Sequence, residues 1–227
     1  MRLALIERKQ ETPDVESFVF SPMDDLVWKP GQFLHYVMHH EPTDDRGSDR
    51  WFTIASAPFE KKVMITTRFD ATRSSTFKKT LQELKLDEQI EVSDLDGDFT
   101  VDEVDAKYVF IAGGIGVTPF HSILKEADHA GQKLDVTLLY ANRDEHVPYK
   151  IEFDEFTARN PKLHITYFIG ERIDEAAIRK AVPDLKTPLF YVSGPEPMVE
   201  SFGVLLKNMG VSATNIKQDW FPGYPAE

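Results

Sequence analysis

The apolar pattern of this chain changes period once, near residues 101–107, and one layer of secondary structure cannot satisfy both periods. Up to about residue 100 the runs are short and alternating. In 62–68, Val63, Ile65 and Thr67 fall on one face while Met64, Thr66 and Arg68 fall on the other. In 31–40, Leu34, Tyr36 and Met38 oppose Phe33 and Val37. Alternation of this kind, broken by Lys29-Pro30-Gly31 and by Gly97, predicts antiparallel strands in a sandwich or small barrel. One stretch departs from it: in 74–85, Phe77, Leu81 and Leu84 recur at helical spacing behind a Ser-Ser-Thr start. Beyond residue 106 the runs 108–112, 136–141, 165–169 and 189–192 are nearly continuous in apolar residues, as strands buried on both faces require. Helical stretches separate them: 122–130 stopped by Gly131, 173–181 before Pro183, and a stripe of Val199, Phe202, Leu206 and Met209 ending at Gly210. Strand–helix alternation predicts a doubly wound parallel α/β sheet. Two domains are therefore expected, 1–102 and 106–227.

Composition narrows the chemistry. With 227 residues and 41% hydrophobic content, there is apolar material for a core in each half. The absence of cysteine excludes disulfides, thiolate-bound zinc, iron–sulfur clusters and thiol nucleophiles, so redox chemistry here needs an organic cofactor. A formal charge of -12 repels phosphate backbones and argues against nucleic acid as a partner. Charges interrupt every apolar stretch of the N-terminal MRLALIERKQE, and no window approaches the roughly 18 apolar residues of a membrane span. The expectation is a cytoplasmic chain without membrane insertion.

Three local motifs carry chemistry. Ala112-Gly113-Gly114-Ile115-Gly116-Val117-Thr118-Pro119 follows an apolar strand and opens a helix. Glycines there let the backbone turn tightly and approach an anion, and a helix start offers N–H groups and a positive dipole end; the same glycines also serve packing. Ser193-Gly194-Pro195-Glu196-Pro197-Met198 follows the last buried strand and so faces the binding crevice of such a sheet, unless it is simply a Gly-Pro turn. In Arg50-Trp51-Phe52-Thr53-Ile54-Ala55-Ser56 an Arg, an aromatic and a hydroxyl alternate along a strand face, which suits phosphate, ring and ring-edge contacts.

Taken in order and spacing, these motifs resemble the ferredoxin–NADP reductase family in its bacterial flavin-oxidoreductase branches. The family pattern is Arg-x-Tyr/Phe-Ser/Thr-x-x-Ser, a Ser-bearing helix start, Gly-Gly-x-Gly-x-x-Pro, and Cys-Gly-Pro-x-x-Met. It is carried here by Arg50–Ser56, the 74–77 segment, Gly113–Pro119 and Ser193–Met198. The resemblance implies a Greek-key β-barrel holding FAD and an α/β domain binding NADH or NADPH. Arg50 would pair with the flavin diphosphate, Phe52 would lie against the ring system beside Trp51, and Thr53 would reach its N5 edge. Ser74, Ser75 and Thr76 match the helix-start contact to the diphosphate, with Thr72 where relatives carry Gly. Thr66, Thr67 and Arg68 lie on the strand that runs beside the ribityl and adenylate portion. Gly113, Gly114, Gly116, Thr118 and Pro119 would hold the coenzyme pyrophosphate, with Gly194, Pro195 and Met198 across the crevice. Asp219 and Phe221 match the closing acidic-x-Phe element, whose aromatic covers the other flavin face and yields to nicotinamide; Trp220 and Tyr224 compete for that role. Ser193 stands where many relatives have Cys, at the point of hydride transfer.

The activity so implied is a flavoprotein oxidoreductase that passes a hydride from NAD(P)H to bound FAD, then electrons to a separate acceptor, either a ferredoxin-type protein or a small molecule. Two other readings stay open: a flavin reductase whose flavin is a released substrate, and an electron-input subunit of a larger redox complex. Coenzyme choice stays open too, since Arg143 suits a 2′-phosphate whereas Asp144 and Glu145 repel one. Other constellations carry less. Asp94-Leu95-Asp96-Gly97-Asp98 has its Gly misplaced for a calcium loop and reads as a turn after a strand. His35, His39 and His40 do not share a strand face, which argues against a metal site.

Overall fold

A computed structural model describes residues 1–221, and the change of period coincides with a change of sheet. The first sheet comprises β1 (Arg2–Thr12), β2 (Val15–Pro22), β3 (Phe33–Val37), β4 (Asp49–Thr53), β5 (Val63–Arg68) and β6 (Gln89–Asp96), in the order β4-β3-β6-β1-β2-β5. All its pairings are antiparallel, and β6 returns between β3 and β1 in the manner of a Greek key. The two edge strands approach one another just past β4, where the Ala55 N–H donates to Met64 O at 2.8 Å. The sheet thereby curls toward a barrel. Leu34 and Tyr36 of β3 are fully buried inside it, together with Leu3, Leu5, Phe18 and Phe20. Helix α1 (Thr76–Glu83) adds Phe77 and Leu81 to the same core, each contributing roughly 1.5–3 kcal/mol by burial.

The second sheet is parallel: β7 (Lys107–Gly113), β8 (Asp135–Asn142), β9 (Leu163–Ile169), β10 (Leu189–Pro195) and β11 (Ile216–Phe221), ordered β11-β10-β7-β8-β9. Its continuous apolar runs have a direct cause. In β7, Tyr108, Phe110 and Ala112 pack on the side of α2 (Thr118–His129) and α3 (Lys150–Arg159). Val109 and Ile111 pack against α4 (Glu175–Ala181) and α5 (Glu196–Asn208) on the other face. No helix among the described residues is long and apolar enough to cross a membrane.

Several expectations shift in detail. Helix α2 starts at Thr118 rather than at residue 122, because Pro119 fits its first turn, where an N–H is dispensable. Strand β6 runs through Asp96, so Asp94 lies within it at φ 46, and the turn falls at Gly97 with φ +110. The histidines do not form one strand row: β3 ends at Val37, His35 Nε2 lies 2.8 Å from Asp49 Oδ2, and His40 Nε2 lies 2.8 Å from Thr76 Oγ1.

The two sheets share a core. Val19, Ala55, Met64 and Phe99 from the first half pack with Phe110, Phe120, Ile123 and Phe153 from the second. Strand β5 accordingly serves two interiors, with Val63 and Ile65 inside the curled sheet and Met64 on the shared side. Gly31 makes that junction possible. It holds φ +96, and a Cβ there would stand 2.1 Å from the Phe99 carbonyl oxygen. Gly31→Ala is expected to destabilise the chain by about 3 kcal/mol or more, read as a lowered urea midpoint, since both the backbone conformation and the contact forbid a methyl group. A midpoint equal to the native one would mean that the 97–100 segment gives way freely.

Candidate functional site

The order of the parallel sheet reverses between β7 and β10, and the loops leaving these two strands lie side by side at that switch point, the place where open parallel sheets bind ligands. Strand β7 ends in Gly113, and the chain passes through a single turn, Gly114–Val117, into α2; no side chain among the described residues caps that start. Strand β10 ends in Pro195 and enters α5 directly. The glycines divide their work. A Cβ on Gly116 would stand 2.5 Å from both Gly194 Cα and the Ser193 carbonyl oxygen, and one on Gly113 would meet Met198 Sδ at 2.2 Å. These residues let the two loops pack closely together. Among the described residues nothing lies within 4 Å of the would-be Cβ of Gly114, which holds φ +52. Thr118 and Pro119 are buried in the helix start.

Three buried polar side chains near these loops and on β4 have unmet capacity. Among the described residues Thr53 Oγ1 has no partner, and Ser193 Oγ and Asp219 Oδ2 have none beyond each other. Ser193 is fully buried on β10, and Asp219 stands opposite it on β11. Burial pushes the Asp219 carboxyl up to about 7; the Ser193 hydroxyl opposes that rise and the Asp98 carboxylate adds to it. Leaving a buried polar group unpaired costs roughly 1–3 kcal/mol, so such groups point to a bound partner. Asn142 is a further case that sequence reasoning missed: it ends β8 buried, with neither amide atom partnered among the described residues. Its position next to Arg143, at a strand's carboxyl end, was the signal available.

The β4 motif is not a single face. Arg50 pairs across to Tyr36 and Phe52 to Leu34, while Thr53 pairs to Phe33, so the hydroxyl points opposite to the guanidinium and the ring. Trp51 shares the face of Thr53 and stacks on His35 with centroids 4.5 Å apart, remaining about half exposed. Phe52 packs against Tyr36 and Phe77. Arg50 Nη1 donates to the carbonyls of Arg46 at 2.6 Å and Gly47 at 3.4 Å, the cation lies 5.5 Å from the Phe77 ring centroid, and Nη2 is buried without a partner among the described residues.

Positive charge gathers around the start of α1. Lys78 is largely buried and donates to the Arg68 carbonyl at 3.1 Å; burial, then the guanidiniums of Arg50, Arg46 and Arg68, pull its ammonium down to about 8. Neither Lys78 nor Arg46 belongs to a recognisable motif, and sequence reasoning missed both. The three hydroxyls expected at this helix start are engaged locally. Ser75 caps the Lys78 N–H at 3.3 Å, Ser74 accepts from the Asp70 N–H at 2.8 Å, and Thr76 Oγ1 bonds with His40 Nε2 and the Asp44 N–H. Asp44 in turn accepts from the Thr76 N–H at 2.9 Å and from Arg46 at 2.8 Å. A carboxylate of the chain thus occupies the helix N-terminus among the cations.

The remaining expected residues scatter. Thr66 Oγ1 bonds with Ser17 at 2.7 Å and with the Tyr149 hydroxyl, so its side chain faces the joint between the sheets. Thr67 is buried on the opposite face of β5, and Arg68 pairs with Asp14. Arg143 pairs with the same Asp14 at 3.3 Å and with Asp144 at 3.5 Å. Phe221 ends β11 opposite Pro195, Trp220 is about half exposed opposite Gly194, and Tyr224 lies outside the described residues. Among the described residues no cluster of His, Asp and Glu is arranged to hold a metal ion.

Comparison with known proteins sets this geometry beside that of NAD-binding oxidoreductases. Residues 110–203 match the family model of the oxidoreductase NAD-binding domain. Oxidoreductase NdmD of Pseudomonas putida is 25% identical over 96% of this chain and 36% of its own length. The ferredoxin reductase component of 3-ketosteroid-9-alpha-monooxygenase from Rhodococcus rhodochrous is 28% identical over 93% of this chain and 62% of its own. The chain therefore spans less than two thirds of the length of these relatives. The same fold occurs in the flavohem-like FAD/NAD binding domain of nitric oxide dioxygenase from Vibrio cholerae O1 biovar El Tor, with TM-score 0.83, 20% identity, and coverage of 97% and 98% of the two chains. It occurs again in a ferredoxin NADP+ reductase from Neisseria gonorrhoeae, with TM-score 0.81, 15% identity, and coverage of 97% and 98%. Residues 110–203 thus match an oxidoreductase NAD-binding domain, and the two-sheet fold is one shared with ferredoxin NADP+ reductases.

The Asp219 carboxyl supplies a test of this site. Its value in the folded chain, about 7, exceeds the roughly 3.9 of an unfolded Asp, so the folded state holds the proton more tightly and loses stability as pH climbs from 4 to 7. The thermal midpoint of Asp219→Asn, which cannot ionise, is expected to gain on the native chain across that interval and to run parallel above it. A constant gap between pH 4.5 and 7.5 would place the carboxylate in water.

Proposed function

We propose that the chain is an NAD(P)H-dependent flavoprotein oxidoreductase, with FAD held against the first sheet over residues 1–102 and the coenzyme held by the parallel sheet over 106–227. The observation that carries this reading is the convergence of Arg46, Arg50, Arg68 and Lys78 beside a helix start, in a chain whose net charge is -12. Like charges gathered around a buried ammonium repel one another, and a diphosphate offsets that repulsion. The unsatisfied Arg50 Nη2 is a donor suited to such a group. When bound, FAD supplies the chemistry that takes two electrons from a reduced nicotinamide and releases them to an acceptor.

The protein's own part is holding and orienting. Phe52 and Phe77 pack together, with the Arg50 guanidinium against the Phe77 ring. Thr53 Oγ1 and Ser193 Oγ, both buried, offer one hydroxyl from each sheet to polar ring edges. Asp219, poised near 7, can hold or release a proton at Oδ2 at neutral pH. Gly114 leaves room for a phosphate to approach the uncapped turn leading into α2. NADH is the favoured coenzyme, since Arg143 already has Asp14 and Asp144 for partners and is not free for a 2′-phosphate. The acceptor is a separate redox protein, because relatives such as the glycine betaine monooxygenase reductase subunit of Chromohalobacter salexigens are reductase parts of oxygenase systems.

One observation favours the alternative in which flavin is released. Asp44 occupies the Thr76 N–H among the cations and must be displaced by a diphosphate. Anaerobic titration of the purified chain with NADH and NADPH, followed by flavin absorbance, separates the readings. Bleaching of a co-purified flavin, at lower concentrations of NADH than of NADPH, is the expected result. A chain that purifies without flavin yet reduces added FAD supports the released-flavin alternative, and a bound flavin that neither coenzyme bleaches overturns the proposal. Asp44→Asn is expected to lower the dissociation constant for FAD severalfold, and Arg50→Ala to raise it by about tenfold or more, both read by fluorescence quenching.

A further inference from the structure

Helix α2 begins at the glycine loop and, one turn in, sends two adjacent side chains across to the first sheet. His121 Nδ1 lies 2.7 Å from the Ala55 carbonyl oxygen, and Ser122 Oγ donates to the Ser56 carbonyl at 2.6 Å; both side chains are fully buried. Their acceptors follow directly on the β4 segment that ends in Thr53. One rigid helical turn therefore separates the loop at Gly116 from His121, and a short extended stretch separates Ala55 from Thr53.

The second nitrogen of His121 is also committed. Nε2 lies 2.8 Å from Glu152 Oε2 on α3, and the ring stacks on Tyr149 at 3.9 Å with planes 16° apart. A carbonyl oxygen only accepts, so Nδ1 carries a proton. Nε2 faces a carboxylate that the His121 hydrogen bond and the nearby Lys125 and Lys9 hold well below the usual carboxylate range, so Nε2 donates as well. The surrounding charges are answered in turn. Lys9 reaches Glu152 at 3.3 Å and Glu11 at 3.2 Å, while Lys125 reaches Glu152 at 3.5 Å and Glu60 at 3.0 Å. Tyr149 holds the left-handed conformation, φ 60, and its hydroxyl bonds to Thr66 on β5. A non-glycine residue keeps that conformation only where its surroundings hold it there.

Stability alone does not require this arrangement. Leucine would fill the same buried space against Phe153 and Tyr149, and burying a charged pair gains little over an apolar side chain of similar volume. What a ring with two fixed acceptors provides, and an aliphatic group does not, is direction. We propose that His121 is a positioning residue: donating at once to Ala55 and Glu152, it fixes the orientation of the α2 glycine loop relative to Thr53 and so the alignment of the coenzyme with the flavin. This inference rests on the proposed function for its catalytic consequence, though not for the geometry itself.

The test uses the absence of cysteine. Exposed sites on β1 and α5, Glu7→Cys and Val204→Cys, take one spin label each, and their distance distribution reads how the two sheets are disposed. His121→Leu in this background is expected to broaden that distribution, to leave flavin content unchanged, and to slow bleaching at saturating NADH by about ten- to a hundredfold, with a much smaller change in coenzyme affinity. His121→Gln, which can donate to Ala55 without reaching both acceptors, is expected to fall between, and it replaces the Leu variant should that chain not fold. An unchanged distribution overturns the proposal, as does a broadened one with native bleaching kinetics. If the native chain itself is not bleached by either coenzyme, the functional reading fails, and the distance distribution alone decides whether His121 sets the geometry.

Discussion

The joint between the sheets rests on α2, which belongs to both halves. Phe120 and Ile123 lie in a core that takes Val19, Ala55, Met64 and Phe99 from the first sheet and Phe110 and Phe153 from the second. Apolar burial on this scale stabilises without specifying direction, at roughly 25 cal/mol per Å² of surface removed from water. Direction comes from the polar bonds set into it, from His121 to Ala55 and from Ser122 to Ser56. The linker is pinned as well: the Tyr191 hydroxyl donates to the Thr100 carbonyl at 2.8 Å, and Lys217 Nζ to the Asp98 carbonyl at 2.8 Å. The separation between the cationic pocket at α1 and the glycine loop at α2 is therefore a property of a packed interior and not of a tether. Under the proposed function, two binding surfaces built on separate sheets can then act on ligands that must meet.

Much of this fold was legible because burial leaves a period behind. Strand β7 reads as a solid apolar run since Tyr108 and Phe110 face one core while Val109 and Ile111 face another. Strand β3 reads as alternating since only Leu34 and Tyr36 are fully inside. Helix α3 escaped notice because just Phe153 and Phe156 of its residues are buried, too few to establish a helical stripe. Strand β11 escaped because an edge strand needs little apolar character, and Ile216–Phe221 mixes Lys217, Gln218 and Asp219 with its apolar residues.

The candidate site was legible only where its residues are consecutive. Arg50 to Thr53 and Gly113 to Pro119 stand out as short motifs, although the strand period alone separates Thr53 from the face of Arg50. Lys78, Arg46 and Asp44 meet through the folding of a loop onto a helix, and nothing in their spacing announces it. Thr66 is a further case: its hydroxyl bonds with Tyr149, 83 residues away, joining the sheets, and nothing in the local pattern announces that partner. The glycines read alike in the sequence, because close loop packing and close ligand approach demand the same missing side chain. Only the neighbours of the would-be Cβ distinguish Gly116, backed onto Gly194, from Gly114, open on one side.

Charge gives the arrangement its final logic. An acidic chain can gather Arg46, Arg68 and Lys78 near one helix start only by supplying anions of its own, and it does so: Asp44 pairs with Arg46, Asp14 with Arg68 and Arg143, and Asp70 with Arg73. These carboxylates keep the cations in place in the absence of a ligand, so the pocket does not have to be assembled when an anion arrives. Under the proposed function the same pairs set a limit on affinity, because an incoming diphosphate would replace carboxylates instead of meeting bare positive charge. Binding then depends on the difference between two sets of ion pairs. A difference of that kind is smaller than a count of cations suggests and responds less to ionic strength, since salt screens both sets alike. Asp44 is the decisive member of the set, standing on the helix N–H as well as on Arg46, so under the proposed function its displacement governs whether flavin is retained.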